Sequence, residues 1–157
     1  MLTEKDYCDY ETCVALKELG YNQYTSLRSY AGKGGVRLWD FDGEPNYKEG
    51  ELIALNDMYG IPSDGNEVAA PSLYEAQKFL REEKEVYVTV IPEYNDFRPV
   101  KGVKYRLEVA YWKDDEFGYE AIEWLDDECP HTIITFDSYE EALSEGIKEA
   151  VKILKEE

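Results

Sequence analysis

The chain has 157 residues, with 35 Asp and Glu against 17 Lys and Arg, a formal charge of -18 and a single histidine, His131. Such a charge repels phosphate backbones and anionic lipid surfaces, and one histidine leaves little material for proton transfer near neutral pH or for metal ligation. Apolar residues at 43% and aromatics at 14%, including 14 tyrosines, supply enough packing material for a folded core and exclude a disordered acidic tail.

The first predicted element is a helix over Asp9 to Gly20. Asp9 caps it, Tyr10, Cys13, Leu16 and Leu19 recur along one face, and Gly20 suits a left-handed stop. Leu27 to Tyr30 and Val36 to Phe41 read as two strands around Gly32-Lys33-Gly34-Gly35, whose glycines permit a tight turn. Asp42 to Ala70 reads as irregular, with one possible helical turn at Leu52 to Leu55. Ser72-x-x-Glu75 after Pro71 is a capping box, opening a second helix whose apolar stripe is Leu73, Ala76, Phe79 and Leu80.

The period then changes to two. Val86, Val88 and Val90 alternate with Tyr87, Thr89 and Ile91, predicting a strand partly covered on both faces and ended by Pro92. Val103, Tyr105, Leu107, Val109 and Tyr111 alternate with Lys104, Arg106 and Glu108. Tyr119 to Leu125 pairs back across the loop Lys113 to Gly118, making a long antiparallel hairpin. A short strand over Thr132 to Phe136 leads into a last helix, begun by Asp137 or Ser138, with Ala142, Leu143, Ile147, Ala150, Val151 and Leu154 on one face. Together these elements predict one α+β domain over 1–157, with about three helices packed on a mainly antiparallel sheet. No repeat, low-complexity tract or long linker interrupts it.

The segments Ala70-Pro71-Ser72-Leu73-Tyr74-Glu75-Ala76-Gln77-Lys78-Phe79-Leu80-Arg81 and Ser138-Tyr139-Glu140-Glu141-Ala142-Leu143 carry a resemblance. With the opening helix, they resemble a family of small uncharacterised proteins of bacterial genomes, prophages and mobile elements. That family shares a Pro-Ser/Thr-begun Gln-x-aromatic-Leu-Arg helix and a C-terminal Tyr-Glu-Glu-Ala-Leu helix. The resemblance implies a phage or mobile-element context and carries over no functional residue.

Several constellations invite a chemical reading. Asp40, Asp42, Glu44, Asn46 and Glu51 place oxygen ligands at calcium-loop positions, but Pro45 stands where an EF-hand needs glycine; an irregular weak cation site and a polar surface loop are the readings left. Cys129, His131, Cys8 and Cys13 would complete a zinc set, yet Cys-x-His is an uncommon chelating spacing and Cys13 falls on a core face. Cys129 with His131 lacks an identifiable orienting group for nucleophilic catalysis. Gly32 to Gly35 lacks the Lys-Ser/Thr and following helix of a phosphate loop. Tyr21, Tyr24, Tyr30, Tyr47 and Tyr59 read either as a binding patch or as half-buried packing residues.

The acidic run is the most distinctive stretch. Asp114, Asp115, Glu116, Glu120, Glu123, Asp126, Asp127 and Glu128 are interleaved with Phe117, Tyr119, Trp124 and Leu125. It reads as a solvated strand face, or as a partner-binding surface able to imitate a nucleic-acid backbone in a basic groove. We expect a non-enzymatic interaction protein binding another protein or a second copy of itself, with no cofactor and no direct contact with nucleic acid or membrane. The alternatives are a nucleic-acid-mimicking inhibitor, and a small-ligand or cation-binding protein or enzyme using Asp40 to Glu51. Met1 to Asp6 shows no signal-peptide pattern, and three widely spaced cysteines suit reduced thiols in a cytoplasm.

Overall fold

A computed structural model of the chain describes residues 3–21, 28–31, 36–38, 67–94, 102–123 and 133–156. The fold is α+β, with antiparallel sheets, and the chain divides into two units, Met1–Ala76 and Gln77–Glu157.

In the first unit, a 3₁₀ turn at Glu4–Asp6 precedes α1 (Tyr10–Glu18). The Asp9 carboxylate accepts the Thr12 N–H at 2.8 Å, satisfying one of the free donors at a helix start. Cys13 and Leu16 are buried as their spacing predicts, and Gly20, at φ +91°, ends the helix in the left-handed region. β1 (Arg28–Ala31) is flanked by β2 (Val36–Leu38) and β3 (Glu67–Ala69), all antiparallel. β3 lies in the stretch read as irregular, because three residues are too few to show a period. β1 and β2 pair on either side of residues 32–35, the arrangement of a hairpin and not of a phosphate loop. The Cys8 N–H donates to the Pro71 carbonyl at 3.1 Å, and the Ser72 hydroxyl accepts the Glu75 N–H at 3.1 Å to start α2 (Leu73–Glu83). Leu73, Ala76, Phe79 and Leu80 are all buried.

In the second unit, Lys84 and Glu85 link α2 to β4 (Val86–Tyr94), with Glu85 at φ 55°. β5 (Val103–Asp114) is central in the described sheet, between β4 and β6 (Gly118–Glu123). Two features of β4 refine the sequence reading. First, its two faces are unequally covered: Val86 and Val88 are buried, whereas Tyr87 and Thr89 are exposed and Ile91 is half-buried.

Second, β4 continues through Pro92. Tyr105, opposite Pro92, directs both its N–H and C=O at Phe136, so this cross-strand pair makes no ladder bonds. The missing proline donor therefore falls on the outer edge, where strand prolines are tolerated. The strand expected at Thr132 to Phe136 is reduced, in its described part, to isolated bridge positions at Ile133 and Phe136, the latter pairing with Tyr105 through hydrogen bonds of 2.9 and 2.7 Å.

α3 (Tyr139–Lys155) begins at Ser138, whose hydroxyl accepts the Glu141 N–H at 3.1 Å, resolving which of two residues is the cap. Ala142, Leu143, Ile147, Ala150 and Val151 are buried as predicted, with the helix docked on β4 and β5. Gly146 is buried at the crossing, where a methyl group on its Cα would come within 2.4 Å of Val88 Cγ1 and 2.5 Å of Leu107 Cδ1. Ser138→Ala is expected to lower stability by about 1 kcal/mol, the usual cost of a lost cap. Chemical denaturation would measure it, and Ser138→Asp, which keeps an acceptor, should leave stability close to the parent.

Candidate functional site

The β5–β6 hairpin builds the most distinctive surface among the described residues. Its turn is set by Asp114, whose Oδ1 accepts the N–H groups of Glu116 at 3.0 Å and Phe117 at 2.8 Å. Gly118 follows at φ +69°, a conformation most side chains resist, and the ladder slips between Trp112 and Asp114 so that Lys113 is bulged. Lys113 donates to Glu120 at 2.9 Å and lies 5.3 Å from the Phe117 ring centroid. The Glu120 hydrogen bond, reinforced by its charge, raises the lysine above its ordinary value.

The register then gathers rings from three strands. Trp112 lies opposite Tyr119, and Tyr87 opposite Ala110, on the sheet face that α3 does not cover. Trp112 and Tyr119 meet edge to face at 5.1 Å, and Tyr119 meets Tyr87 at 5.9 Å. Tyr119 and Tyr87 are hydrogen bonded through their side chains, which holds the Tyr119 phenol above its usual range. All three rings are exposed, as is Phe117, the most open of the four at 66%. Interplanar angles of 80° and 72° give no coplanar row on which sugars or bases would stack.

Charge around the rings is uneven. Arg106 pairs with Glu93 at 2.6 Å, Lys104 with Asp137, and Lys113 with Glu120. Asp115 and Glu116 at the tip are exposed and have no ion pair among the described residues. The hairpin thus presents exposed rings beside uncompensated carboxylates.

The structure places the predicted partner-binding residues unequally. Asp114, Asp115, Glu116 and Glu120 share the hairpin, and Glu123 ends β6 opposite Glu108. Trp124, Asp126, Asp127 and Glu128 lie outside the described residues, as do the cation candidates Asp40, Asp42, Glu44, Asn46 and Glu51, and both Cys129 and His131. Cys8 and Cys13 are buried free thiols directed at backbone carbonyls, and no group of three metal-ligating side chains occurs among the described residues.

The tyrosine-patch reading is corrected in its described members. Tyr21 is buried, and Tyr30 is half-buried, donating to the Cys8 carbonyl at 2.9 Å. Trp112 and Tyr87 are the site residues that sequence reading missed. Their signal is parity: each alternates out of step with the buried Val86, Val88, Leu107 and Val109 and so belongs to the opposite face. No helix among the described residues is long and apolar enough to cross a membrane. Comparison of the chain with family models, curated proteins and solved structures finds no match in any of the three.

Proposed function

We propose that this chain is a non-enzymatic interaction module that offers the β5–β6 hairpin to a protein surface combining an apolar pocket with basic groups. The observation that carries this reading is the ring cluster Tyr87, Trp112 and Tyr119, exposed beside Phe117, Asp115 and Glu116. Exposed aromatics are the residues that most often anchor protein interfaces, and surrounding charge of one sign steers an oppositely charged partner. The rings are already held against one another, so little side-chain freedom is lost on docking.

A charge array imitating a nucleic-acid backbone fits this hairpin less well. Among the acids of the run whose side chains are described, Asp114 is committed to the turn and Glu120 to Lys113, which leaves Asp115 and Glu116 without an ion pair at the tip. Buried free thiols at Cys8 and Cys13 suit a reducing compartment, and the resemblance to phage and mobile-element proteins suits a small accessory factor that acts on a host protein.

The test is capture from host lysate at two salt concentrations, followed by affinity measurement with the purified partner. Trp112→Ala is expected to weaken binding about thirtyfold, as for a residue near the centre of an interface. Tyr94→Ala removes an exposed ring outside the cluster and should leave binding unchanged. Equal loss in both variants, or none in either, would remove the hairpin as the contact surface.

A further inference from the structure

We propose that the outer edge of β4, which carries no further strand among the described residues, is a second binding site, accepting a short extended peptide that carries a carboxylate. β4 is an edge strand of the described sheet. Tyr105 points its backbone groups away from β4, and alternation carries that direction to Leu107, Val109 and Tyr111. Their partners Pro92, Val90, Val88 and Val86 consequently turn their own backbone groups outward. The Gln77 side chain demonstrates this direction, since its Nε2 donates to the Val88 carbonyl at 2.8 Å. A primary amide thus already occupies the position that the N–H of an added strand would take.

A groove of about 260 Å³ opens at the same place, lined by Gln77 and Arg81 of α2, residues 87–90 of β4 and Tyr139 of α3. Gln77 and Arg81 are four residues apart and share a helix face. Arg81 contacts Glu82 at 3.8 Å, with both side chains exposed, a pairing of little strength. The guanidinium is therefore available to a carboxylate, which it engages through two parallel hydrogen bonds. Main-chain bonds from Val88 N–H and from Val90 N–H and C=O would hold the strand, the mode by which sheet edges bind peptides. The structure also limits the occupant. Pro92 has no donor, so the accepting edge ends at Val90. Pairing two copies of β4 along their length would set Pro92 and the charges of Glu85 and Glu93 inside the new ladder.

The experiment is selection from a displayed library of random heptapeptides, followed by synthesis of the enriched sequence. The selected peptide is expected to contain β-branched residues and a carboxylate, and to protect the Val88 and Val90 amides from hydrogen exchange. Arg81→Ala should weaken it at least about tenfold, and N-methylation of alternate peptide amides should abolish binding. Failure of any sequence to enrich, or enrichment of peptides indifferent to Arg81→Ala that leave Val88 and Val90 unprotected, would overturn the proposal. So would protection of those amides that grows with protein concentration in the absence of peptide, which would assign the edge to a second copy of the chain.

Discussion

Replacing Gly146 by valine is expected to lower stability by about 3 kcal/mol, the upper end of the usual cost of forcing extra carbons into a packed core. For a chain of this length that corresponds to a melting temperature lower by roughly 6–12 °C. The cause is local. A Cβ at Gly146 would lie 2.4 Å from Val88 Cγ1 and 2.5 Å from Leu107 Cδ1, and Val88 branches at Cβ, so its methyl group has little freedom to swing aside.

Gly146→Ala carries the same first clash but gains about 1 kcal/mol of helix propensity, leaving a net loss of about 1 kcal/mol. Leu107→Ala alone should cost about 2–5 kcal/mol, since Leu107 is fully buried in the middle of β5. Combined with Gly146→Ala it should cost less than the sum of the two, by about 1 kcal/mol, because the alanine methyl fills space the leucine has vacated. Thermal and chemical denaturation of the three variants would measure this. Strict additivity would show that α3 moves away from the sheet rather than pressing on Leu107.

Stability of the first unit is expected to fall as pH rises above about 10, the ordinary tyrosine value. Burial is the main cause holding the Tyr21 phenol well above that value, with smaller contributions from Glu75, Cys8 and Cys13. A raised folded-state value means that the native chain keeps a proton that the unfolded chain releases. The contribution is thus complete below pH 10 and declines at higher pH, by up to about 1.4 kcal/mol per pH unit for this one group. Denaturation of the parent and of Tyr21→Phe between pH 8 and 12 isolates the effect from that of the other tyrosines. The variant should show a shallower decline, and identical slopes would mean that Tyr21 is not buried as described.

Much of the local architecture was legible in the sequence because its causes are local. Ser72 and Ser138 announce their helices through capping contacts made within three residues, and the stripes of α2 and α3 follow the helical period into burial. The alternation of Leu107 and Val109 with their polar neighbours likewise marks the covered face of β5.

What could not be read depends on pairing between distant segments. β3 exists because Val68 meets Tyr30, and Pro92 is accommodated because Tyr105 turns towards Phe136. The hairpin site shows the same division. Its acids and its rings Phe117 and Tyr119 lie together along the chain, whereas Trp112 and Tyr87 join them through register. The glycine in α3 was similarly opaque, since a helix-weakening residue is explained only by how near the sheet comes.

The spacing of contacts along the chain has a kinetic consequence. In the second unit, Asp114 meets Gly118 across one tight turn and neighbouring strands follow in chain order, so partners find one another by closing short loops. In the first unit, Cys8 meets Ser72 from 64 residues away, a closure that must be made before the contacts around it can stabilise anything. Long-range closure of this kind slows folding more than it weakens the final state. During refolding of the full chain, the meander around β5 should therefore be in place while the segment around Cys8 is still searching for its partner.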